Sequence, residues 1–184
     1  MKKLLAIVMI AGSLITSVFA QEKTTLNNLS LSFPIRMASG TAKCIGVDWH
    51  GYSFSNNTFG LCTQASFWLP LDALKDNTYG AFAWGLDGSI GPSFRVLDTG
   101  LLALVVSVGG TLNFFDAMDV IFELDLGAFA DVCFGFKLSD DLYISAGIQY
   151  NYYFLTYYMV GSSSGSSDKS IQTFAPRIGI TYKE

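Results

Sequence analysis

The chain has 184 residues, enough for one domain, with a formal net charge of −4 and a single histidine. It is 51% hydrophobic and 15% aromatic but only 14% charged, with 18 glycines, against about 25% charge in an ordinary soluble domain. An acidic chain gives no support for nucleic-acid binding, and beyond the N-terminal segment no run of ~20 apolar residues could cross a bilayer as a helix. High hydrophobicity without a spanning helix is the compositional signature of a membrane β-barrel.

Residues 1–20 read as a signal peptide. Lys2 and Lys3 form a basic start, Leu4 to Ile15 an apolar core, and Val18-Phe19-Ala20 a cleavage site with small residues at −3 and −1 before Gln21. No cysteine follows the site, which disfavours a lipid-anchored protein. Removing Lys2 and Lys3 deepens the net charge from −4 to −6. Residues 21–184 are then the mature barrel. Cys44, Cys62 and Cys133 cannot all pair, and their spacing matches no zinc pattern. One disulfide is possible in an exported protein; the simpler expectation makes Cys62 and Cys133 small inward-facing fillers. No metal or cofactor is expected.

The first strand alternates Leu29, Leu31, Phe33 and Ile35 with Asn28, Ser30 and Ser32, and tolerates Pro34 near its end. After a loop at 37–43, a second strand from Cys44 to Phe54 sets Ile45, Val47 and Trp49 against Cys44, Gly46, Asp48 and His50. Ser55-Asn56-Asn57-Thr58 makes a tight turn. The third strand, Phe59 to Trp68, sets Phe59, Leu61, Thr63, Ala65 and Phe67 against Gly60, Cys62, Gln64 and Ser66. A loop at 69–77 leads to a long fourth strand, Thr78 to Val96, with Phe82, Trp84, Leu86, Ile90, Phe94 and Val96 opposite Gly85, Asp87, Ser89, Gly91, Ser93 and Arg95. Asp98-Thr99-Gly100 turns the chain into a fifth strand, Leu101 to Asn113, followed by a loop at 114–119.

The clearest pattern follows. From Phe122 to Leu138 every even position is apolar, while the odd positions hold Glu123, Asp125, Gly127, Phe129, Asp131, Cys133, Gly135 and Lys137. A period of two is a strand with one oily and one polar face. As a helix, the same charges would surround the cylinder and leave no face to bury. Ser139-Asp140-Asp141 turns, and Leu142 to Phe154 resumes the even stripe, with Tyr157 and Tyr158 extending it. Gly161 to Asp168 is low-complexity Ser/Gly and reads as a flexible loop tip. An eighth strand, Ile171 to Tyr182, completes the set. Short turns alternate with longer loops, as in outer-membrane barrels. The fold class is therefore all-β, an eight-stranded antiparallel up-and-down transmembrane barrel.

Volume decides which face is inside. Eight strands enclose a lumen just wide enough for side chains. The Phe, Leu, Ile and Trp set would overfill it, whereas the Gly, Ser, Ala and Cys set fits, so the oily face meets lipid. The lumen is then expected to hold Asp48, His50, Asp87, Arg95, Glu123, Asp125, Asp131, Lys137 and Arg177. Confined charges must pair, so these imply a salt-bridge network that plugs or narrows the tube; a selective pore is the alternative. Trp49, Trp68, Trp84, Tyr150, Tyr152, Tyr157 and Tyr158 are expected as an aromatic girdle at headgroup level.

On these features the chain resembles the small eight-stranded outer-membrane barrels of double-membraned bacteria, of the OmpX, OmpA-barrel and OmpW types. The resemblance covers nearly all of residues 21–184 and rests on architecture rather than on a motif. Arg177-Ile178-Gly179-Ile180-Thr181-Tyr182 resembles the last-strand signal read by the barrel-assembly machinery, with Lys183 and Glu184 following the aromatic. The resemblance implies a monomer in the outer membrane, in contact with its lipid, with a structural or surface role or passive passage of a small, apolar ligand.

Two alternatives differ in class. A lipid A-modifying enzyme of the deacylase type would resemble a His-x-Ser-Asn arrangement, but His50 is followed by Gly51, Tyr52 and Ser53, and Ser53 falls on the opposite face. A soluble lipocalin-like carrier would show Gly-x-Trp; Gly46-Val47-Asp48-Trp49 has one residue too many. A non-enzymatic role is expected.

Overall fold

The computed structural model describes residues 24–38, 40–55, 58–71, 83–117, 121–160, 163–167 and 170–184. The expected signal peptide and the expected start of the fourth strand at Thr78 lie outside these residues. Strands β1 (Thr24–Ser32) and β2 (Ile35–Met37) form the first stave of a barrel. The next six staves are β3 (Thr41–Phe54), β4 (Phe59–Pro70), β5 (Ala83–Asp98), β6 (Leu102–Ala117), β7 (Ile121–Lys137) and β8 (Leu142–Val160). Strands β9 (Ser163–Ser167) and β10 (Ile171–Lys183) both pair along β8 and make the eighth. Each stave is antiparallel to the next, and β10 pairs with β1 and β2 to close the cylinder. The alternating sequence thus folds into the closed eight-staved barrel that its period of two dictates.

The first stave is interrupted only at Phe33-Pro34, and its register is unchanged across the gap. Ser32 faces Gly46 and Ile35 faces Lys43. The Phe33 N–H donates to the Pro176 carbonyl at 2.9 Å, and the Cys44 N–H donates to the Pro34 carbonyl at 2.7 Å. Neither proline has an N–H with which to return the bond. One rung is therefore missing on each side of the stave at the same height.

Several strands run further than the turn residues suggest. Of the loop expected at 37–43, only 38–40 lies between strands, and β6 continues through the loop expected at 114–119 as far as Ala117. The Ser/Gly stretch expected as a flexible tip contributes Ser163–Ser167 as β9, paired with Thr156–Val160 of β8. Tyr158 stands opposite Gly165, and its ring occupies the space a Cβ there would need. Backbone pairing to a neighbour overrides the weak strand propensity of serine and glycine. Strands β5 to β8 have 16, 16, 17 and 19 residues, whereas about 9–11 suffice to cross a bilayer. The upper part of the cylinder therefore projects beyond a hydrocarbon layer about 25 Å tall.

The two faces sort as volume requires. Leu29, Leu31, Val47, Ile90, Phe94, Val108, Phe134, Ile144, Ile148 and Ile178 are exposed on the outside. Asn28, Ser32, Asp48, Ser93, Ser107, Asp131, Ser145 and Arg177 are buried within. Large inward side chains are accommodated by inward glycines on the adjoining stave. Trp68 faces Gly85, Phe129 faces Gly109 and Arg177 faces Gly147. In each pair a Cβ on the glycine would press into the ring or guanidinium lying over it.

Replacing outward Ile148, at mid-height on β8, by arginine is expected to cost about 2–4 kcal/mol in urea unfolding from lipid vesicles. The same change at Asp141, in the turn, should stay within about 0.5 kcal/mol. If the exterior faced water, the two variants would unfold alike.

Candidate functional site

The lumen is the place where chemistry could reside, and it is built in tiers. In mid-barrel, Arg177 of β10 reaches across to Asp131 of β7, Nη1 to Oδ1 at 2.5 Å. The Tyr52 hydroxyl donates to the other Asp131 oxygen at 3.1 Å, and Arg177 Nη2 donates to the Tyr52 oxygen at 3.3 Å. Three staves are tied across the axis by this one cluster. Charge and phenol are fully buried, so the pair is retained only because each partner compensates the other.

Higher up, Asp87 gathers three donors. Trp68 Nε1 donates at 2.7 Å, Asn113 Nδ2 at 2.9 Å and the Tyr153 hydroxyl at 2.5 Å. Gln149 donates to Asn151, which in turn donates to the Tyr153 hydroxyl, extending the chain of bonds along β8. Above this tier Arg36 Nη2 bonds Glu123 Oε1 and, at 2.8 Å, Asp125 Oδ2, while the Thr156 hydroxyl donates to the second Asp125 oxygen at 2.7 Å. The opposite, short-turn half of the lumen is largely apolar: Leu26, Tyr52, Phe54, Cys62, Val105 and Cys133 pack together. Arg95 caps it, 4.3 Å over the Phe54 ring and paired with Asp98 at 2.7 Å.

Of the nine residues expected to form a lumen network, Asp48, His50, Asp87, Arg95, Asp125, Asp131 and Arg177 are buried inside, and Glu123 lines the upper mouth. Lys137 is not part of that network. It stands at the end of β7 and pairs with Asp140 of the following turn at 2.9 Å, because the tube ends there. Arg95 joins the rim and not the central clusters. The girdle expectation also needs correcting at two residues. Trp49, Tyr150, Tyr152 and Tyr157 are exposed and Trp84 is half-exposed on the outer wall, but Tyr158, though exposed, pairs with Glu123 on the lumen side of the mouth, and Trp68 is only 3% exposed and points into the lumen. It shares the phase of Gly60, Cys62 and Gln64 on β4, and Asp87 takes its indole proton. Arg36, Tyr52 and Tyr153 were missed as lumen residues, although each keeps the inward phase of its strand.

His50, Asp48 and Ser32 lie together, yet in the wrong order for nucleophile activation. Ser32 donates to Asp48 at 2.8 Å, and His50 Nε2 is 4.0 Å from Asp48, too far for a hydrogen bond. Neither His50 nitrogen bonds a described protein atom. A serine whose proton goes to the carboxylate has no base to raise its nucleophilicity. All three cysteines are buried, and none forms a disulfide among the described residues. Among the described residues, no group of three or more His, Cys, Asp or Glu side chains is placed to hold a metal ion.

Arg177→Met alone should cost about 3–5 kcal/mol in detergent-based urea unfolding, since it strands Asp131 in the lumen. Adding Asp131→Leu and Tyr52→Phe should recover most of that loss, because the whole cluster is then apolar.

No family model matches the chain, and no curated protein matches it in sequence. Solved structures do. Neisserial surface protein A (NspA) is similar at 10% identity with a TM-score of 0.63, over 88% of this chain and 97% of its own. The outer membrane protein OprG from Pseudomonas aeruginosa gives 8% identity and a TM-score of 0.57, over 89% and 97%. Ail, the attachment invasion locus protein of Yersinia pestis, gives 11% identity and a TM-score of 0.51, over 88% and 99%. At these identities the likeness is one of fold. Tiered lumen, oily exterior and topology together give this chain the fold of the small eight-stranded outer-membrane β-barrels.

Proposed function

We propose that this chain is a non-enzymatic, integral outer-membrane barrel with a sealed lumen, serving envelope structure or interaction at the cell surface. The observation that carries this is the filling of the axis. The Arg177–Asp131–Tyr52 cluster crosses mid-barrel, and the apolar packing below it leaves voids of only about 20 Å³ each. Such a void holds on the order of one water molecule. A continuous conduit for small apolar molecules would require Tyr52, Phe129 and the buried ion pair to leave the axis together, which breaks a charge pair in a dry interior. The oily exterior and the structural neighbours favour the outer membrane, with lipid as the immediate partner and the barrel-assembly machinery reading the last strand. A single closed cylinder without an unpaired stave suits a monomer.

An enzymatic role is disfavoured by the geometry around His50, which is sealed in the lumen, away from any lipid substrate on the outer wall. Purified protein inserted into planar lipid bilayers is expected to give no reproducible single-channel steps. Regular, ion-selective steps from the wild-type chain would overturn the sealed reading and favour the conduit.

A further inference from the structure

Above the ionic tiers the described residues do not fill the barrel. A cavity of about 320 Å³ lies inside the long-strand mouth, bounded among others by Arg36, Thr41, Trp68, Phe115 and Glu123. Small-molecule sites begin at about 300 Å³ and are mostly apolar with a few convergent polar groups. The lining follows that recipe, with Ala38, Ala42, Pro70 and Ile121 completing the apolar part.

Two features of this cavity specify an occupant. The first is charge. Two carboxylates, Glu123 and Asp125, share the single guanidinium of Arg36. Asp125 is wholly buried and also bonded to Thr156, whereas the Glu123 side chain keeps 19% of its surface open to the cavity. The acid surplus therefore faces the cavity at Glu123. The second is the wall. The Trp68 and Phe115 rings lie 7° from parallel with centroids 5.6 Å apart. Trp68 cannot swing away, because Asp87 holds its indole N–H and Gly85 provides its berth. Aromatic faces attract cations, and the Arg36 guanidinium already lies 5.7 Å from the Phe115 centroid.

We propose that this cavity binds a small organic cation with an apolar body, of the arylalkylammonium class. Its ammonium group sits beside Glu123, and its apolar part lies along Trp68 and Phe115. An organic anion meets the Glu123 carboxylate and is rejected; a neutral analogue gains only the wall. Because the tube is sealed beneath Arg36, the ligand enters and leaves by the same mouth. The site is a cup that captures rather than a passage that conducts. The binding claim itself does not depend on the seal, so conductance and binding can fail separately.

The test uses the full mature chain folded in detergent micelles, titrated calorimetrically with benzyltrimethylammonium. Benzenesulfonate and benzyl alcohol serve as the anionic and neutral comparisons. Saturable binding of the cation alone is expected, weakened about tenfold or more by Glu123→Gln. Ala38→Trp, at a lining position that continues the inward phase of Arg36, fills the mouth without removing a charge and should abolish binding even if the Glu123 variant does not fold. Heat-dependent electrophoretic mobility checks that each variant is a closed barrel. The proposal is overturned if the wild type does not saturate with benzyltrimethylammonium. It is overturned equally if benzenesulfonate binds as well, or if both folded variants bind like the wild type.

Discussion

The width of an eight-stave cylinder is the constraint on which everything else rests. Its interior admits one layer of large side chains and no more. Several of the bulkiest inward residues therefore lie over a neighbour with no side chain at all. Trp68 rests over Gly85, Phe129 over Gly109 and Arg177 over Gly147. The glycines that would weaken an ordinary strand are here the complement of the groups that fill the tube. The same constraint sends phenylalanine, leucine and isoleucine outward, where only lipid can receive them.

Narrowness also governs the charges. Water has little room in the lumen, so the dielectric is low and an unmatched ion is costly. Asp131 is answered by Arg177 and a phenol, and Asp87 by three neutral donors. Arg36 answers two acids at once. These tiers stiffen the upper and middle barrel, while apolar packing under Arg95 closes the short-turn end. Among the described residues the lumen is thus roomier at the long-strand end and more closely packed at the other, an asymmetry that follows from where the polar residues fall along the staves.

Much of this was legible in the sequence because a strand reports its faces by parity. The zigzag from Phe122 to Leu138 specified both walls of β7. Trp68 was misplaced because its residue type suggested a girdle, whereas its even position in β4 pointed inward. Arg36 and Tyr153 carried the same readable phase. Other features were not local. Between Leu126 and Gly127 the register with β8 shifts, and Phe154 is the extra residue. Beyond that bulge the stripe changes phase, so counting along the chain would turn Tyr157 inward and Tyr158 outward, the reverse of their pairing with Leu124 and Glu123. Likewise, nothing in a run of serines and glycines announces β9, whose order comes from its partner. Nor does parity tell which acid will meet which base across the axis.

The paired prolines at the first stave have a consequence for how the cylinder comes together and apart. A barrel has no free edge once closed, and its final act of assembly is the meeting of its two terminal staves. Here Pro176 withholds one rung at that junction, and Pro34, at the same height, withholds another on the opposite side of the first stave, toward β3. The ring of hydrogen bonds is thus thinned on both sides of the first stave. The stave that opens the barrel is therefore held by one bond fewer on each of its two boundaries than an unbroken strand would be.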